Sequence, residues 1–369
     1  MKVSRVDVYK INIPMIYKVV VPIGVLDAAN NVAIRITCDN GIEGWGEASP
    51  FGPITGESQQ SNFHDASILA RIILGKDPTA VTSRMNEINA ATTAQTSLRS
   101  AFDIALHDIL GRAADLPLYK LLGGEPRALR TDFTIGMQDS VTQSVERLNI
   151  GKDKGFVEVK LKVGRPGLAD IEHVAAVRDA AGPEMSIKID SNQGWDYPAA
   201  VANLKAMEPF GIAYSEQPIA AWDYENLRRL RDAVRTPICA DESVFDDKDA
   251  LKLVSMGAVD YLNIKLGKSG GIATALRIEA IAQAAGCKCM IGCFAESRLA
   301  LTAAAHLATA RQNISFLDLD CAFNLQADPV EGGMVYGEGG RITLPDTPGL
   351  GACISDEFLQ DCESYSIET

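Results

Sequence analysis

The chain has 369 residues, 47% of them hydrophobic and 22% charged, with a formal net charge of −13. This is the balance of a water-soluble globular protein long enough for one barrel and a smaller partner domain. The acidic excess argues against nucleic acid, which needs a basic face.

The first segment, MKVSRVDVYKINIPM, alternates apolar and polar residues and reads as a strand rather than a secretory leader. The most apolar early stretch, Met15 to Leu26, contains Lys18 and Pro22 and is too short to cross a bilayer, so no membrane partner is expected. Next, VAIRITCDNGIEGWGEA predicts a hairpin turning at Asp39-Asn40-Gly41. Residues 62 to 122 carry helical spacing, as in SLRSAFDIALHDILGRAAD, and stop at Gly123-Gly124.

From about residue 130 short β-rich runs alternate with helical segments. The strand candidates are TDFTIG, FVEVKLKVG, MSIKID, IAYSEQP, TPICADES, DYLNIKLG, CKCMIG and ISFLDLD. Eight such units over some 190 residues imply parallel βαβ repeats closing into a barrel. An open doubly wound sheet would carry a glycine-rich turn after its first strand, and TIGMQDS has none. Cys287, Cys289 and Cys293 lie in the apolar run CKCMIGCF, where buried packing is favoured over a zinc site. The eight cysteines are read as reduced thiols of a cytoplasmic protein.

Ionisable residues end most of these strands. Lys162, Asp190, Glu216, Asp241, Lys265, Glu296 and Asp318 are separated by 28, 26, 25, 24, 31 and 22 residues, about one βα unit each. In a barrel these ends converge on one face, where active sites lie. Asp190, Glu216 and Asp241 would repel one another there, so a cation should join them. All-oxygen donors favour Mg²⁺, with Mn²⁺ a substitute. Lys160 and Lys162 share a strand face, and Lys265 ends a strand roughly opposite. A metal with a lysine on each side of a bound carbon suits removal and return of a proton α to a carboxylate. The four histidines, His64, His107, His173 and His306, fall in helical or capping segments and are read as core or surface residues.

The set KLKVG, IDSNQGW, SEQP, ADES and NIKLGKSGG, with AFDIALHDILGRAADLPLYKLLGG before it, resembles the muconate-lactonizing-enzyme-like subgroup of the enolase superfamily. The resemblance implies a (β/α)7β modified TIM barrel over residues 128–330, capped by an α+β domain from residues 1–127, with 331–369 returning to the cap. It implies Asp190, Glu216 and Asp241 as ligands of one Mg²⁺ and Lys162 and Lys265 as the acid/base pair acting through an enediolate, with Glu242 behind the ligands. GKS at 267–269 is no P-loop, because Leu262 stands where that pattern needs glycine.

Asp318 and Asp320 share a strand face with no lysine evident to neutralise them, which invites a cationic group on the substrate. The Asp-x-Asp resembles that of dipeptide epimerases and implies a dipeptide whose α-ammonium meets the pair and whose C-terminal residue is inverted. N-acylamino-acid racemase and o-succinylbenzoate synthase are the rivals on the same scaffold, and a non-catalytic ligand-binding barrel is the rival of another class. Lys160, Thr134, Ile54, Glu296 and Arg298 join the substrate-binding candidates. In KVVVPIGVLDAANN, read as a loop closing over the barrel mouth, Gly24 stands where relatives specific for Ala-Glu carry arginine. With Val20, Val21, Ile23, Val25 and Leu26 apolar around it, small or hydrophobic dipeptides are expected over Ala-Glu. Homo-oligomers are compatible with this reading.

Overall fold

Alternation of apolar residues at the N-terminus produces one long ribbon. In the computed structural model, which describes residues 1–369, β1 (Val3–Val21) folds back on β2 (Gly24–Cys38), which pairs with β3 (Glu43–Ala48). The β2–β3 turn contains Gly41 at φ 83°, the left-handed conformation that the Asn-Gly signal supplies. KVVVPIGVLDAANN is not the loop that its sequence suggested. It is the end of β1 and the start of β2, joined by Pro22-Ile23. The reason is period 2: Met15 and Val21 are buried while Ile16, Lys18 and Val20 are exposed, and β-branched residues favour a strand. The last strand, Ser364–Glu368, pairs with β1 and completes this sheet.

The two faces of the sheet bury different neighbours. Val6, Val8, Ile34 and Ile36 pack with Leu69, Leu98, Phe102 and Leu106 of the helices Gln59–Ile73 and Thr96–Ala113. Tyr9, Ile11, Ile13 and Trp45 join the large core of the barrel instead. Each fully buried aliphatic here contributes about 1.5–3 kcal/mol. Helix Thr96–Ala113 lies so close to β3 that a Cβ at Gly46 would come within 1.9 Å of the Ala101 carbonyl oxygen.

After the two-residue β4 (Leu129–Arg130) come the eight parallel strands. They are β5 (Phe133–Ile135), β6 (Glu158–Lys162), β7 (Ser186–Asp190), β8 (Ser215–Glu216), β9 (Ile238–Ala240), β10 (Tyr261–Ile264), β11 (Lys288–Ile291) and β12 (Ile314–Leu317). Each falls within one of the eight runs singled out in the sequence. Long helices separate them, from Val141–Asp153 to Arg298–Ala310. After β12 come the 3-10 turn Cys321–Asn324 and then short strands, with no long helix of the kind that follows the other barrel strands, so the eighth helix is missing. β5 and β12 meet without a regular ladder. Asp132 N–H donates to Leu317 O (3.3 Å) and Leu319 N–H to Thr131 Oγ1 (2.8 Å), so isolated bonds close the seam.

Carboxylates of the cap hold the N-termini of barrel helices. Glu47 accepts from Ser297 and Ala300 N–H (3.0 and 3.1 Å), and Asp103 accepts from Ile272 N–H (2.5 Å). Buried donors at helix starts need such partners, and anions suit that end of the dipole. No helix is long and apolar enough to cross a membrane. All eight cysteines are free.

His306 makes one stability prediction. Its Nδ1 accepts Tyr119 N–H (3.1 Å) and its Nε2 meets Leu350 O (3.1 Å), an arrangement that requires the neutral ring. Burial pushes its pKa down to about 4 from 6.5. The unfolded chain therefore binds the proton more readily, and stability present above pH 6.5 is lost as pH falls through about 4. The loss should reach about 3 kcal/mol. Denaturant unfolding of wild type and His306→Asn between pH 7 and 4 should show the steeper fall in wild type; parallel curves would contradict the assignment.

Candidate active site

The alternation within each strand decides what faces the barrel axis. In β6, Val159 and Leu161 point outward to helices while Lys160 and Lys162 point in. Register then sets Lys162 beside Asp190, and Asp190 beside Glu216. Asp241 follows the last residue of β9 and Lys265 the last residue of β10. Asp190, Glu216 and Asp241 are fully buried, and Lys160, Lys162 and Lys265 nearly so.

Burying these charges is tolerable only because they are paired. Lys162 Nζ lies 2.5 Å from Asp190 Oδ2 and 3.2 Å from Asn192 Oδ1. Lys265 Nζ lies 2.8 Å from Asp241 Oδ2, and Lys268 Nζ 2.6 Å from Asp241 Oδ1. Burial opposes the charge on Asp241, but these two ammonium groups hold its carboxyl below the usual range. Lys265 is held above its ordinary value, since Asp241 and Glu216 outweigh the effect of burial. Glu216 has less help: burial, then the Asp190 carboxylate, push it up to about 8. Its Oε1 accepts from Asn263 Nδ2 (2.7 Å), and its Oε2 has no hydrogen-bond partner.

An orphaned buried oxygen beside two other buried carboxylates fits a hard divalent cation, which would be held by Asp190, Glu216 and Asp241. Behind them Glu242 accepts from Asn192 Nδ2 (3.3 Å), and burial followed by Asp241 pushes it up to about 7. The tightest carboxylate cluster is a different one, Asp132, Asp318 and Asp320, with one oxygen from each within 4.8 Å of the others. Lysines reach between the members of the first set instead: Lys160 Nζ stands 3.9 Å from Asp190 and 3.8 Å from Glu216.

Asp318 and Asp320 have unequal surroundings. Asp318 is not free of lysine, contrary to the sequence expectation, because Lys160 reaches past β5 to a very short contact with its Oδ2. Burial opposes the charge on Asp318, and Lys160 outweighs it to hold the carboxyl low. Asp320 pairs with no lysine or arginine. It accepts from Thr134 N–H (2.6 Å) and Thr134 Oγ1 (3.2 Å), so the pair also helps to close the β5–β12 seam. Burial, then Asp318 and Asp132, push Asp320 up to about 8.

One cavity brings Lys160, Lys162, Lys265, Asp318, Asp320, Thr134 and Ile54 together. Its roof is the hairpin arm, through Met15, Tyr17, Val19, Val21 and Leu26, with Phe51 and Ile54 beside it; Phe133, Phe294 and Phe323 line the barrel side. Asn324 fastens the arm by accepting from Tyr17 N–H (3.1 Å) and donating to Tyr17 O (2.8 Å). Gly24 sits at the hairpin turn, where a Cβ would meet Phe51 at 3.4 Å and Pro53 at 3.7 Å.

Three of the substrate-binding candidates do not line the cavity: Gly24, Glu296 and Arg298. Glu296 is buried behind Phe294, accepting from Ser49 Oγ (3.1 Å) and Phe294 N–H (3.0 Å), and burial pushes it up to about 7. Arg298 straps the C-terminal segment through the carbonyls of Val330, Gly332 and Met334. Sequence reasoning missed Asn263, Lys268 and Gln217. Gln217 has φ 34° and accepts Asp241 N–H (2.9 Å), steering the neighbouring strand end. Asn263 had a usable signal, since it lies two residues before Lys265 and shares its face.

Residues 5–123 match the mandelate racemase / muconate lactonizing enzyme N-terminal domain, and residues 143–358 match the enolase C-terminal domain-like family. The chain is 37% identical over 368 residues to a D-Ala-D/L-Ala epimerase of Cytophaga hutchinsonii, covering 100% of both. It is 37% identical to a hydrophobic dipeptide epimerase of Enterococcus faecalis, over 95% of this chain and 99% of that one. The crystal structure of the Cytophaga hutchinsonii dipeptide epimerase, complexed with Mg and D-Ala-L-Val, superposes with a TM-score of 0.97 at 36% identity, covering 100% of both chains.

Proposed function

The chain belongs to the mandelate racemase / muconate lactonizing enzyme family of the enolase superfamily, and from that premise we propose that it is a magnesium-dependent dipeptide epimerase acting on small or hydrophobic dipeptides. The observation that carries this reading is Asp320, a carboxylate at the cavity wall with no cationic partner, in the same cavity as Lys162 and Lys265. A dipeptide ammonium supplies the missing charge. The N-acylated substrates of the rival enzymes do not.

Substrate lies with its ammonium at Asp318 and Asp320 and its carboxylate toward Asp190, Glu216 and Asp241. Bound by those three, Mg²⁺ would take the substrate carboxylate, offset the negative charge that grows as the α-proton leaves, and cancel the anionic field that keeps Lys265 protonated. One lysine Nζ accepts the α-proton, and the other donates a proton to the opposite face, which inverts the centre. Phe294, whose ring centroid is 4.9 Å from Lys265 Nζ, and the hairpin arm exclude water from that lysine.

The side-chain preference follows from the walls. The only lysines at the cavity are Lys160, Lys162 and Lys265, and each already holds a carboxylate. The arm's own Lys18 is exposed and reaches Asp27 at 3.8 Å. A glutamate side chain would be buried unpaired at a cost of several kcal/mol, whereas valine or leucine gains roughly 1.5–3 kcal/mol. A dipeptide panel assayed for α-proton exchange in D₂O with Mg²⁺ should show Ala-Ala and Ala-Val well ahead of Ala-Glu and of N-acetyl-Ala-Val. Higher efficiency on Ala-Glu would refute the preference, and equal turnover of acetylated and free dipeptide would refute the ammonium site.

A further inference from the structure

Asp132 lies just before β5, two residues from Thr134 and on the same face, so it points into the barrel below Asp318 and Asp320. It is fully buried. Its Oδ2 accepts from Lys188 Nζ (3.1 Å), while its Oδ1 has no hydrogen-bond partner. Lys188 is divided, lying 2.7 Å from Glu158 as well. Lys160, the other nearby cation, is shared among Asp318, Asp190 and Glu216. Three clustered carboxylates therefore have two lysines, both of them also engaged by carboxylates outside the cluster. In a medium of low dielectric a unit charge one layer behind the wall is still felt at the wall.

We propose that Asp132 is a positioning residue for the substrate ammonium: it acts through Asp318 and Asp320, adding negative charge behind them that makes the site select a cationic N-terminus. This rests on the reading of Asp318 and Asp320 as the ammonium site. Asp132 does not itself line the cavity, so its part is electrostatic rather than a contact. A purely structural Asp132 would anchor Lys188 and the seam and would affect all ligands alike.

Asp132→Asn tests it, because the amide oxygen can still accept from Lys188 while the charge is gone. The probes are Ala-Val and propionyl-valine, which has the same shape without the amine, both measured with Mg²⁺ present. KM for Ala-Val should rise about tenfold with kcat within about threefold, and propionyl-valine should bind as tightly as before or tighter. Equal weakening of both probes, or no change in either, would overturn the proposal. If Asp132→Asn does not fold, Asp132→Asn/Lys188→Met removes the buried pair together, and its ratio of the two affinities is compared with that of Lys188→Met alone. Asp320→Asn separates the premises. If it too leaves the ratio unchanged, the ammonium site itself is wrong; if it collapses the ratio and Asp132→Asn does not, only the role of Asp132 fails.

Discussion

Lys162→Ala and Lys265→Ala should each lower epimerisation by a factor of about 10³ or more while leaving the protein folded. The size follows from losing a positioned acid or base, typically worth 10²–10⁴, at a step that needs both lysines. Folding should survive because neither carboxylate is stranded. Without Lys265, Asp241 keeps Lys268 at 2.6 Å, and without Lys162, Asp190 keeps the Asn192 N–H at 2.9 Å with Lys160 at 3.9 Å. The sharper expectation is stereochemical. Each mutant should still exchange the α-proton of one epimer with D₂O, a different epimer in each case, because the remaining lysine reaches only its own face. Normal exchange of both epimers by both mutants would eliminate the two-base reading.

Asp241→Asn should weaken Mg²⁺ binding by on the order of 100-fold or more, exceeding the 10–100-fold typical of outer-shell changes. Asp241 sits between two buried ammonium groups, and without its charge they would repel an incoming cation. Mn²⁺ titration followed by electron paramagnetic resonance reads the affinity directly, apart from turnover. Turnover should also vanish in excess chelator and return with Mg²⁺. The rival location is the Asp132–Asp318–Asp320 cluster. If Asp320→Asn weakened Mn²⁺ binding and Asp241→Asn did not, the ion would belong there and the ammonium site would need a new position.

Much of the barrel is legible in the sequence. A parallel strand buried on both faces is a short apolar run, and a charge at its end is too costly to keep unless it meets others. That is why Asp190, Glu216, Asp241, Lys162 and Lys265, recurring in register at the ends of runs such as MSIKID and TPICADES, could be expected together on one rim. The Asn-Gly turn was an equally local signal.

What the sequence could not state was who pairs with whom across the barrel. Lys160 and Asp318 are separated by 158 residues, and their contact exists only because the barrel closes. That one contact divides the Asp-x-Asp into a neutralised Asp318 and an unpaired Asp320, a distinction no spacing rule contains. The hairpin arm was misread as a loop for a related reason: its inward residues Met15, Val19 and Leu26 pack against the barrel core, not against sequence neighbours, while Ile16, Val20 and Val25 stay exposed. By itself the sequence determined the strands, their inward faces and the chemical types gathered at the rim, because backbone period and desolvation act locally. Only the tertiary structure decided which charges cancel and which remain for a substrate, because Coulomb energy depends on distance in space and on burial.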